Sequence, residues 1–278
     1  MSDKDYYLDQ VKQCVSFIFK EKSSGEKEPI GTGFFVGIKL EYGDAVYLVT
    51  AKHVLQKCPG EFYDKIFVRL NAKETGFAEY MDIDLTKYVI LTHSDESVDL
   101  AATFLRPNPN FFDYRLITQD YFSNSIILKK KNIREGSNVF FPGLFTNFYG
   151  ELKNFPILRF GRISLLIDER IEIHEKGQPP KLAHLYFVEC QSLGGFSGSP
   201  VFFERDRITP GGPFSSPEIY LGGVMKGHYN DTLETPRGIV RELNASLALV
   251  TPCYQLNELL NSEAAIKDRE SAAKDAGL

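Results

Sequence analysis

The chain has 278 residues, 43% hydrophobic and 25% charged, an ordinary globular composition with room for two compact units or one large one. Its formal net charge is −5, and the densest basic spot, Lys129-Lys130-Lys131, reads as a solvated loop, so nucleic acid is excluded as a main partner. The start, MSDKDYYLDQVKQCVSFIF, lacks the layout of a secretion signal, and no run approaches the ~18 apolar residues of a membrane span.

Residues 1–10 are polar and read as a frayed end. Val15–Phe19 reads as a strand, and Glu21–Glu28 as a charged loop. Gly31–Ile38 is a second strand whose glycines call for a sharply curved sheet. Ala45–Thr50 is a third, ending in a short helical turn at Ala51–Leu55. Ile66–Leu70, Tyr88–Leu91 and Leu100–Leu105 follow, and Arg106-Pro107-Asn108-Pro109 closes the last. Residues 107–132 then connect to a second half of the same texture. Its strands fall after Gly136-Ser137 and at Phe160–Leu166, His184–Val188, Pro200–Phe203, Ile219–Met225 and Ser246–Val250. A Pro/Gly/Ser-rich loop spans 204–217. Thr251-Pro252 opens a helix over 253–262, with Leu256, Leu259 and Leu260 at helical spacing. The 263–278 tail extends that helix or is disordered. Many short strands split by turns argue for an all-β barrel or sandwich rather than βαβ units.

Four scattered cysteines (Cys14, Cys58, Cys190, Cys253) form no CxxC pair; without a secretion signal they read as reduced, mostly buried thiols in a cytoplasmic protein.

Three segments carry chemistry. Gly194-Gly195-Phe196-Ser197-Gly198-Ser199-Pro200 is a turn that can expose one hydroxyl while aiming N–H groups at a common point. Val49-Thr50-Ala51-Lys52-His53-Val54 sets a histidine just past an apolar strand, and Ser97-Val98-Asp99-Leu100-Ala101 sets an aspartate at the head of another. Singly, each has a plainer reading as a surface turn, a packing histidine or a capping aspartate. Together they permit a relay in which His53 takes the Ser197 proton, Asp99 fixes the imidazole, and the Gly195 and Ser197 N–H groups hold an oxyanion. An α/β-hydrolase elbow fits worse, because Ser199 stands where glycine is wanted and the acid precedes the serine. His93, His174, His184 and His228 lack metal-ligand spacing, so no metal or cofactor is expected.

With GTGFFVG, VTAKHV, DLA, GFSGSPVF and LALVTP in this order, the chain resembles the chymotrypsin-like (trypsin-like) serine peptidases over residues 12–262. It looks most like their bacterial, HtrA-like and glutamyl-endopeptidase-like branch, without a PDZ-like segment after the helix. The resemblance implies two six-stranded antiparallel β-barrels, 12–106 and 133–250, a C-terminal helix at 252–262, and a site between the barrels. It departs from the family pattern at Phe196, where Asn or Asp is usual, which argues against activation by a newly cut N-terminus.

The expected activity is peptide hydrolysis through His53, Asp99 and Ser197 with a polypeptide substrate. A proteolytically silent binding module on the same fold is the alternative, and latency until a regulatory protein partner acts is a third possibility. By the resemblance, the pocket for the side chain before the scissile bond is walled by Gln191 and Ser192, by Val224, Lys226 and Gly227, and by Ala245-Ser246. These describe a neutral site that favours cleavage after small to medium uncharged residues.

Overall fold

In the computed structural model, residues 3–41, 43–173, 179–191, 194–205, 218–234 and 240–275 are described. The first half runs α1 (Asp3–Gln13), β1 (Val15–Glu21), β2 (Lys27–Leu40), β3 (Gly43–Thr50), a 3-10 turn at Lys52–Leu55, β4 (Gln56–Cys58) and β5 (Glu61–Phe62). It continues through β6 (Lys65–Asn71), β7 (Ala78–Asp84), β8 (Ile90–Thr92), β9 (Ala101–Phe104) and β10 (Ile117–Thr118). After α2 (Ser125–Lys131), the second half runs β11 (Asn138–Gly143), β12 (Ile157–Leu166), β13 (Ile171–Ile173), β14 (Lys181–Ala183), β15 (Tyr186–Glu189), β16 (Pro200–Glu204), β17 (Ile219–Glu234) and β18 (Val240–Pro252). Two helices follow, α3 (Cys253–Leu260) and α4 (Glu263–Asp275).

The second half closes as a six-stranded barrel in the order β11-β12-β15-β18-β17-β16. The first half differs from the six strands expected: it is an eight-stranded sheet ordered β7-β6-β1-β2-β3-β9-β8, with β10 parallel on β2. The extra strands are β7, a half-exposed partner of β6, and the two-residue β10. At the other end β8 is only three residues long and reaches only β9.

Several strands are apolar on both faces, and each face has its own destination. In β3, Val46 and Leu48 pack with Ile18, Phe35 and Val68 inside the first half. Tyr47 and Val49 point the other way, into a core shared with Phe140, Phe202 and Leu256 of the second half. The barrel strands mirror this: Phe141 and Phe203 fill its interior, while Phe140 and Phe202 stack at 5.3 Å in the shared core. Period-two alternation therefore sorts one sequence into three cores. Burying one such side chain contributes about 1.5–3 kcal/mol, so the shared core holds the halves at a fixed separation.

The chain's outer helices seal this shared core. The N-terminal stretch expected to fray is helical in α1, because Tyr7, Leu8 and Val11 share a face against the core. The tail also forms a helix. Arg269 of α4 is buried, donates to the Leu260 carbonyl at 2.6 Å, and meets the Tyr47 hydroxyl at 3.3 Å. That hydroxyl donates to the Ala265 carbonyl at 3.3 Å. In the 107–132 connection α2 forms, its first turn capped by the Asn124 side chain on the Ile127 N–H at 2.9 Å. The loop expected over 204–217 lies outside the described residues from 206 onward, as does His174.

All four cysteines are free; Cys14, Cys190 and Cys253 are buried and Cys58 is exposed. Among the described residues no helix is long and apolar enough to cross a membrane.

Candidate active site

β3 and β9 pair antiparallel with Thr50 opposite Ala101. The chain leaves β3 into the turn that carries His53 and approaches β9 through Asp99, so register alone brings both side chains to one edge of the sheet. The His53 Nδ1 lies 2.6 Å from Asp99 Oδ2, and the His53 backbone N–H donates to Asp99 Oδ1 at 3.0 Å. Asp99 is buried, while the His53 side chain is 48% exposed. With Nδ1 carrying its proton toward the carboxylate, Nε2 is left as an acceptor. Burial alone would raise the Asp99 pKa. The His53 charge and hydrogen bond, then the Lys226 ammonium and the His53 backbone N–H, outweigh it and hold Asp99 well below the usual carboxylate range.

Ser197 sits half-buried in a turn between β15 and β16. Gly195 has φ +99° and Gly198 has φ +86°, the left-handed region in which a side chain is strained. A Cβ on Gly198 would also run into the Thr32 carbonyl and the Thr50 hydroxyl. The turn is tied down on the barrel side, where Gly198 N–H donates to the Met225 carbonyl and Met225 N–H to the Ser199 carbonyl, both at 2.8 Å. Phe196 anchors it from below: it is buried in the barrel core, edge-on to Phe141 at 5.4 Å. A hydrophobic peg thus stands where a carboxylate would seek an N-terminus.

The first half grips the same turn through Thr32 of β2. The Thr32 N–H donates to the Ser197 carbonyl at 2.9 Å, and its hydroxyl donates to the Gly195 carbonyl at 2.8 Å. That hydroxyl also accepts from the Leu144 N–H at 2.9 Å, and the Thr32 carbonyl accepts from the Thr50 hydroxyl at 2.7 Å. Thr32 and Thr50 escape a reading of the sequence. Thr32 between Gly31 and Gly33 looks like a strand residue, and the glycines were the signal that something must approach closely there: a Cβ on Gly31 would meet Val54 and the Ser197 carbonyl.

The Ser197 hydroxyl donates to the Lys226 carbonyl at 3.2 Å, and the Lys226 ammonium lies 3.5 Å from Asp99 Oδ2. Serine and aspartate are thus joined through one residue of β17. His53, Asp99, Lys226 and Gly227 border a cleft of about 810 Å³, with Lys52, Lys181 and His228 also on its wall. Burial, and behind it neighbouring Lys181 and Lys226, hold Lys52 below the ordinary lysine value against the pull of Asp99.

The other pocket residues separate. Gln191 is exposed and borders the turn rather than this cleft. Its neighbour Cys190 donates its N–H to the Ser246 carbonyl at 2.9 Å, which brings the first and third expected walls together. Ser192 lies outside the described residues. Val224 is fully buried and packs into the core between the halves, away from the cleft. Gly227 is half-buried, with no atom within 4 Å of where a Cβ would stand.

Neither a protein-family model nor a curated protein matches the sequence. Solved structures do match the fold. One is the Rv3671c protease from M. tuberculosis in its active form, 16% identical, with a TM-score of 0.51, covering 91% of this chain and 82% of that one. Another is human heparin binding protein, 10% identical, with a TM-score of 0.49 and 91% of both chains covered. At such identities the likeness speaks to architecture, and the architecture of this chain is the chymotrypsin-like serine peptidase fold.

Proposed function

We propose that the chain is a serine endopeptidase that works through His53, Asp99 and Ser197. The observation that carries this is the His53–Asp99 pair, joined at 2.6 Å through the ring and at 3.0 Å through the backbone, beside a glycine-flanked serine turn. The Ser197 hydroxyl turns from the Lys226 carbonyl toward Nε2 of His53 and gives up its proton as Oγ bonds to the scissile carbonyl carbon. Charge on the carbonyl oxygen is received by the N–H groups of Gly195 and Ser197. The imidazolium, steadied by Asp99, passes its proton to the leaving amine, and water releases the acyl group by the same steps in reverse. Neutral Gln191 and the open space at Gly227 support cleavage after uncharged residues of small to medium size.

The test pairs a fluorophosphonate probe with a peptide library. The parent chain should take the label at Ser197 and cut after neutral residues. Ser197→Ala should lose both label and cleavage with an unchanged circular dichroism spectrum. Undiminished turnover in purified Ser197→Ala sinks the reading.

A further inference from the structure

β17 passes the acid–base pair at Met225-Lys226-Gly227. Its pairing with β18 slips there: Met225 faces Val250 and Gly227 faces Leu249, leaving Lys226 as the extra residue. A bulge breaks strict alternation and re-aims a side chain. Here the Lys226 side chain, 11% exposed, brings its ammonium to Asp99. The two carboxylate oxygens of Asp99 are then unequally shared. Oδ1 accepts from the His53 backbone N–H, whereas Oδ2 faces both the His53 ring and the Lys226 Nζ.

We propose that Lys226 is a positioning residue of the triad: its ammonium draws on the same carboxylate oxygen as His53 and so weakens the hold of Asp99 on the imidazolium. This rests on the peptidase reading for its meaning in catalysis, though not for its geometry. Through the shared oxygen, Nζ and Nδ1 lie within about 6 Å of one another, close enough for like charges to repel. The other charged or titratable groups on this cleft are Lys52 on the 3-10 turn, His93 and Glu96 before β9, Lys181 on β14, and His228 and Tyr229 on β17. Lys226 contacts Asp99 directly, at 3.5 Å. The lysine therefore favours the neutral imidazole, the form that accepts the serine proton, and extends the working range of His53 toward acid.

The test compares Lys226→Gln and Lys226→Met, which remove the charge, with Lys226→Arg, which keeps it. Two readouts are taken: the rising limb of kcat/KM against pH, and the NMR titration of the His53 imidazole in a Ser197→Ala background. Both should move to higher pH by roughly 0.5–2 units in the neutral variants. Lys226→Arg should titrate near the parent, a rescue that a merely structural role would not give. A His53 titration in the neutral variants that overlays the parent overturns the proposal. If no variant or parent cuts peptide and the NMR titration still moves, the peptidase reading fails and the role of Lys226 stands.

Discussion

The two halves place the groups proposed for catalysis by different physics. In the first half, His53 and Asp99 meet because β3 and β9 are in register, Thr50 opposite Ala101; the pair is a property of one sheet. In the second half, Ser197 sits on a turn between strands, tied to β17 through Met225. Its position comes from positive-φ glycines, a buried Phe196 and hydrogen bonds reaching across from Thr32. The His53–Asp99 geometry is thus set within one sheet, with Lys226 as its contact from the second half, whereas Ser197 is held from both halves.

Substitutions can separate the two mechanisms. The largest effect is expected at Asp99→Asn, which keeps the shape but favours the wrong imidazole tautomer. It should lower kcat by on the order of 10⁴ while leaving fluorophosphonate access to the turn open. Thr32→Val should be milder and of the opposite kind. It strips the hydroxyl from the buried contacts to Gly195 and Leu144, costing about 1–3 kcal/mol in denaturant unfolding. Turnover should fall while the His53 imidazole titrates as in the parent; a shifted titration would mean that Thr32 acts on the His53–Asp99 pair as well as on the turn. The smallest effect at neutral pH, and one confined to acid, concerns Asp99 itself. Its folded pKa is depressed, so its stabilising share is complete above the unfolded carboxylate value of about 3.9 and is lost as pH falls through the folded value. Acid unfolding curves should therefore be flatter below about pH 4 in Asp99→Asn than in the parent.

Much of this was legible in the residues. Apolar runs ending at His53 or beginning after Asp99 announced strand ends, and the glycines about Ser197 announced a strained turn. The strands of both halves fell close to their places because alternation of Val, Ile, Phe and Leu survives in each. What stayed hidden depended on contacts distant in sequence. Thr32 reaches Gly195 across 163 residues, and nothing local marks the hydroxyl as special. Val224 is set on the pocket wall by the resemblance to glutamyl endopeptidases, whereas the fold puts it in the shared core; the bulge at Lys226, which re-aims the next side chains, has no local signal of its own. β7, Ala78–Asp84, is polar enough to pass for a loop; it is a strand because β6 supplies its partner. α1 likewise looks frayed until its Tyr7 meets Phe140 at 5.9 Å.

The contacts of α4 with β3 have a consequence for synthesis. Tyr47 is translated 222 residues before Arg269 and 218 before Ala265, yet both reach its hydroxyl. A nascent chain can pair β1, β2 and β3 early, since domains form from the N-terminus as they emerge. The outer face of β3, the strand that leads into His53, is then fully covered only when α3 and α4 leave the ribosome. The strand that leads to His53 is made in the first fifth of the chain and sealed in the last.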